Sequence, residues 1–180
     1  MEKTRHYEWL NNSFAFMNIE MLLLREVQAL GELDIELIEE FPKIKINSKL
    51  KEDLREKRRY LLLSKLWILG AYELIRFLND LDKKRILLQN DTRTKLKDTL
   101  TIFSNIRVPL AKFQKSGKDK TLYKGVADSF LDIHKGAGWK VYSNEKNKLK
   151  KEIFYRDDLA NLLLELLKEI NKERNPSKIR

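Results

Sequence analysis

A chain of 180 residues with no cysteine, six glycines, three prolines and a net charge of +10 has the length of one domain, and of one large enough to bury its own core. The missing cysteine excludes disulfides, a thiol nucleophile and cysteine-ligated metal, and the scarcity of glycine and proline disfavours a turn-rich all-β fold. No basic start with an apolar stretch and a cleavage site is read at the N-terminus, and the most apolar run, Tyr60 to Leu69, is short and broken by Lys65, so no membrane partner and a cytoplasmic location are expected.

The first helix is predicted from about Asn12 to Leu30, where Phe14, Met17, Met21, Leu24 and Val27 recur at helical spacing. Gly31 reads as an interruption, and Asp34 to Phe41 as a short resumption with Ile35, Leu37, Ile38 and Phe41 apolar. Pro42 ends it, because the residue before proline is pushed out of the helical region. The second helix is the longest. Ser48 is placed to cap it and Glu52 and Asp53 lie in its first turn. Its first half, Lys49 to Arg59, is charged, whereas Tyr60 to Leu78 is apolar nearly all round. A helix of that kind belongs in the middle of a bundle, with Gly70 allowing a close crossing.

Asp82 to Asn90 is predicted as a connection, and Asp91 as the cap of a third helix whose Leu96, Leu100, Phe103 and Leu110 form a narrow apolar stripe. Pro109 is expected to kink it or end its regular part. Gln114 to Lys124 reads as a lysine-rich loop. Residues 129–142 change character: FLDIH, KGAG and WKVY read as strand, turn and strand, with Gly136 and Gly138 supplying positive φ and Ile153 to Tyr155 adding a short third strand. A hairpin is marginal alone, so Phe130, Trp139 and Val141 are expected to pack on the helices. Asp157 and Asp158 open a last helix with Leu159, Leu162, Leu163, Leu166, Leu167 and Ile170 buried. The expected architecture is mainly α, a bundle of four to five helices with a small β-hairpin before the last one. It forms one domain over 1–170, followed by a polar tail at 171–180.

Arg107 falls on the apolar stripe with Leu96, Leu100 and Phe103, and a guanidinium there needs a partner. Glu73 is the candidate. Two readings stand: a buried structural ion pair, which is the favoured one, or a polar cleft in which Arg76, Arg107 and Lys112 bind an anion such as a phosphate. A second constellation is basic and aromatic. Lys115, Lys118, Lys120 and Lys124, with Trp139 and Lys140, have the composition of a surface on which single-stranded nucleic acid stacks, although packing of the aromatics against the bundle is favoured. His6 and His134 are poorly placed for acid–base work, helix capping suits Asp157 and Asp158 better than metal binding, and KSGKDKT (115–121) lacks the spacing of a phosphate loop. No catalytic set, metal or cofactor is read.

The long second helix followed by a helix ending in an arginine resembles the HEPN superfamily of small helical domains. Arg107 in NIRVPLAKFQ matches the arginine of its RNase motif. The motif histidine is missing, and Lys112, Phe113 and Gln114 occupy its window. That segment, the hairpin and the closing YRDDLANLLLELL are also similar to uncharacterised bacterial proteins. The resemblance, over about residues 50–170, implies a helical bundle, dimerisation and an origin among conflict and RNA-processing systems, but not RNase activity. Three functions follow as expectations. The leading one is a non-catalytic helical interaction module that forms a homodimer. The second is an RNA-binding or degenerate RNase-like component of a defence or toxin–antitoxin system, resting on the +10 charge. The third is an enzyme acting on a phosphorylated small molecule.

Overall fold

The computed structural model describes residues 2–85, 88–111, 128–145 and 148–175. They form five α-helices and a three-stranded antiparallel sheet inserted before the last helix: α1 (Glu2–Ser13), α2 (Met21–Glu40), α3 (Lys51–Arg85), α4 (Asn90–Ala111), β1 (Asp128–Asp132), β2 (Gly136–Glu145), β3 (Lys148–Tyr155) and α5 (Arg156–Arg174). The mainly α architecture is the expected one. Its boundaries differ in ways that matter for function.

The single first helix predicted across Asn12–Leu30 is two helices. A 3-10 turn at Phe14–Phe16 and an extended Glu20 (φ −156°, ψ 106°) break the chain before α2. The break resets the helical phase. Phe16 and Leu23 enter the core, while Phe14, Met17 and Met21, expected on the same face as Leu24 and Val27, stay exposed. Gly31 interrupts nothing. It lies inside α2 against the Trp9 side chain of α1, where a Cβ would meet Trp9 Cβ and Cγ at 2.6 Å. Helix α2 therefore runs through Asp34 to Glu40, and Phe41–Lys43 with Pro42 form a 3-10 turn after it.

Helices α2 and α3 pack closely, as Gly70 suggested: a Cβ there would be 3.1 Å from Leu30, and the Trp67 indole N–H donates to the Leu30 carbonyl at 2.9 Å. Trp9, Trp67 and Phe103 continue the core from α1 through α3 to α4, with ring centroids 6.4 Å apart at each step. Ser48 lies ahead of α3 and accepts the Leu50 N–H at 3.2 Å. Asp82, expected in a connection, is in the last turns of α3. It accepts the Leu88 N–H at 2.9 Å and pairs with Arg93 at 2.6 Å, which fixes the turn into α4. Pro109 lies within the last turn of α4, which is described to Ala111.

The hairpin is longer than predicted. Strand β2 pairs with β3 from Gly138↔Tyr155 to Glu145↔Lys148, and β1 with β2 from Asp128↔Lys140 to Asp132↔Gly136. Gly136 has positive φ (72°); Gly138 does not, and instead makes room for the Phe130 ring. Trp139 and Val141 are buried as expected, but Phe130, paired with Gly138, lies on the other face of the sheet, half-buried in a T-shaped contact with Tyr155 and not packed with them on the helices. Helix α5 follows β3 directly and continues to Arg174, so Asn171 belongs to the helix, where it donates to Asn12.

Candidate functional site

The structure brings Glu73, Arg76 and Arg107 together, but at the surface. Arg76 forms hydrogen bonds and an ion pair with Glu73 at 2.7–2.8 Å, and Arg107 approaches Glu73 at 3.7 Å while its guanidinium lies over the Tyr72 ring at 5.1 Å. The Glu73 side chain is 47% exposed and that of Arg107 28%. The expected dry ion pair is therefore corrected. The buried face of α4 carries Thr92, Leu96, Thr99, Phe103, Ile106 and Leu110, and at ~100° per residue Arg107 and Leu100 fall at its edge. From there the long side chain reaches out along Tyr72 to solvent. Lys112 lies outside the described residues.

Of the residues proposed as a nucleic-acid surface, Lys115, Lys118, Lys120 and Lys124 also lie outside the described residues. Trp139 is 0% exposed, which removes it from any stacking surface: it is on the face of β2 that packs against the helices. Lys140, on the opposite face, is half-buried with its ammonium 5.1 Å above the Phe130 ring.

Charge converges in the interior elsewhere, around Asp34. This carboxylate is fully buried. It accepts from Arg5 Nε at 2.6 Å and from the Trp9 indole N–H at 2.9 Å, and it pairs with Arg156 Nη1. Arg156 is itself 3% exposed. Arg5 continues outward to Asn161 at 2.6 Å and Asp157 at 3.4 Å. The site ties the first helix to the last. The signal for it is present in the sequence: Asp34 repeats at helical spacing with Val27, Leu30 and Leu37, so it is an acid on an apolar stripe. A helix break at Gly31 would take Asp34 off that stripe, but α2 runs on through Gly31.

A pocket of about 280 Å³ opens beside this network. Phe41 and Tyr60, stacked at 5.8 Å, form its apolar wall with Ile38, while Arg5, Arg156, Asp157 and Asp158 line the other side. The β1–β2 turn contributes His134 and Lys135 to its lining. Asp132 shapes that turn by accepting the backbone N–H groups of His134 (2.8 Å) and Lys135 (3.0 Å), which hold its carboxyl below its ordinary pKa. Gly136 then passes so close to Tyr60 that a Cβ would lie 2.7 Å from its hydroxyl. Burial holds the Tyr60 phenol above its ordinary pKa, against the opposing effect of Arg156. Asp157 and Asp158, read as helix caps, make no capping bond from the N-cap position, which is Tyr155; they occupy the first turn of α5 and pair with Arg156 (3.5 Å) and Lys135 (3.3 Å) respectively.

The outer face of α3 is the third feature. The sequence makes the Tyr60–Leu78 part of this helix apolar nearly all round, and the bundle covers only part of it. Leu62, Leu66 and Phe77 are 56%, 49% and 40% exposed. With Glu73, Arg76 and Asp80 they share one side of the helix, within an arc of roughly 100°.

Among the described residues no group of histidines and carboxylates has the arrangement of a metal site, and no helix is long and apolar enough to cross a membrane. No known protein family, no curated protein and no solved structure matches the chain.

Proposed function

We propose that the chain is a non-catalytic helical interaction module that works as a homodimer joined through the outer face of α3. The observation that carries this reading is the exposure of Leu62, Leu66 and Phe77 on the apolar part of α3, since an apolar stripe of that kind marks an interaction surface. A second copy fits the face by charge. In an antiparallel two-fold pair centred between Leu69 and Gly70, Leu62 of one copy lies opposite Phe77 of the other. At ~1.5 Å per residue, Arg58 and Asp80 are each roughly 16–17 Å from the centre, so the exposed arginine of one copy meets the carboxylate of the other. Each patch is thus complementary to itself, as a two-fold interface requires. Dimerisation is also what the resemblance to the HEPN superfamily implies.

Size-exclusion chromatography with light scattering tests this. The expected result is a dimer at micromolar concentration that Leu66→Asp converts to a folded monomer, since Leu66 lies within the stripe and half of its surface faces solvent. A wild-type protein that is strictly monomeric overturns the reading.

One observation favours RNA contact as a second reading. Lys49 and the first turns of α3 line an open groove of about 620 Å³ in which Lys49, Lys51, Arg55 and Arg58 outnumber the single acid, Glu52. Binding of single-stranded RNA there would fall steeply with salt as counterions are released. Absence of binding at low salt removes this reading.

A further inference from the structure

Two arginines and one buried carboxylate leave the Asp34 network with an excess positive charge. Arg5 and Arg156 have side chains 18% and 4% exposed and both pair with the fully buried Asp34. The balancing charge comes from the pocket side, where Asp157 Oδ1 stands 3.4 Å from Arg5 and 3.5 Å from Arg156. These are long contacts for charge-assisted pairs, which close to ~2.7–2.9 Å when the geometry allows. The Asp157 side chain is also 45% exposed. It is tethered to the first turn of α5 and reaches the two guanidiniums only at the margin of contact. A free oxyanion in the pocket has no such tether and can approach both more closely.

We propose that this pocket binds a small oxyanion, a carboxylate or a phosphate ester, on the side where Arg5 and Arg156 meet Asp157, and that Asp157 is the internal counter-anion which the ligand displaces. The pocket volume of about 280 Å³ leaves room for a small body beside the anionic group. The Phe41–Tyr60 wall gives that body an apolar surface, and Lys135, paired with Asp158 at 3.3 Å, adds a third cation to the same lining. Selectivity follows from the same arrangement. A bare, strongly hydrated anion gains only from the guanidiniums, whereas an anion on a flat apolar body gains from the aromatic wall as well.

The test is a titration of the full chain with inorganic phosphate and, separately, with benzoate at low ionic strength, followed by amide shifts at residues 132–136 and 156–158 in wild type, Asp157→Asn and Asp157→Ser. Removing the competing carboxylate should tighten binding by about tenfold or more, because a unit charge at ~4 Å is worth more than one factor of ten even near the surface. Saturable shifts confined to the pocket and tighter in the folded Asp157 variants support the proposal. Phosphate binding alone assigns a phosphate ester, and benzoate binding alone assigns a carboxylate on a flat body. Failure of both probes to saturate either folded variant, or equal affinity with and without the Asp157 carboxylate, overturns it. Arg5→Gln, which keeps a polar donor at the rim, should abolish binding; retained affinity in that variant also overturns it.

Discussion

Asp34 of α2 and Arg156 of α5, 122 residues apart in sequence, form an ion pair in the interior that is almost wholly shielded from water. Such a pair is expensive to break from one side, because the remaining charge stays buried without its partner. Asp34→Ala leaves the buried Arg156 and the partly buried Arg5 with only the long contacts to the half-exposed Asp157 as ion pairs. It should lower the unfolding free energy by about 3–5 kcal/mol, read by urea denaturation, and Asp34→Asn should not restore it. A loss smaller than that of an exposed pair would show that the network relaxes into the adjoining pocket.

Arg107 offers the contrast. Its pair with Glu73 is long and open to solvent, so Arg107→Ala should change stability by no more than about 1 kcal/mol. Thermal unfolding of the two alanine variants side by side checks the order. An Arg107 effect as large as that of Asp34 would mean that the 107 side chain is more enclosed than its 28% exposure indicates.

Gly31 makes the usual helix rule fail. Alanine for glycine in a helix interior ordinarily gains about 1 kcal/mol. Here the new Cβ would lie 2.6 Å from Trp9 Cβ and Cγ, atoms close to the α1 backbone that cannot swing aside. Gly31→Ala should therefore destabilise by about 1–3 kcal/mol and shift the Trp9 indole signal.

Tyr60 gives a pH signature. Its phenol is held protonated by burial beyond the ordinary value of 10.0. A raised folded-state pKa means that stability is intact below the ordinary value and is lost as pH rises through the folded one. Alkaline titration should show one tyrosine ionising late, together with a fall in stability, and Tyr60→Phe should remove both. Acid works on the turn in the opposite sense. The Asp132 carboxyl is held below its ordinary value by two backbone N–H groups, so its support for the His134–Lys135 turn is present above that value and fades as pH falls through the folded one. The protection factors of the amides at residues 134 and 135, which take out the intrinsic slowing of exchange in acid, should fall on acidification.

The sequence by itself determined the class of fold, the long α3, the buried face of α5 and the antiparallel hairpin ahead of it. These follow from local periodicity and from turn chemistry such as Gly136, which adopts the expected positive φ. Tertiary structure decided the rest. Periodicity says that residues share a face, but not whether anything covers it. Thus Phe14, Met17 and Met21 shared the rhythm of buried residues and lie exposed once the chain breaks at Glu20. The apolar stripe of α4 predicts its buried face to within a fraction of a turn, and that fraction places Arg107 at the rim of the core. Gly31 looked like a stop and is a contact, because only the arrival of Trp9 makes a missing Cβ necessary. The pairing of Asp34 with Arg5 and Arg156 depends on helices from opposite ends of the chain meeting side by side, and no local spacing encodes that encounter.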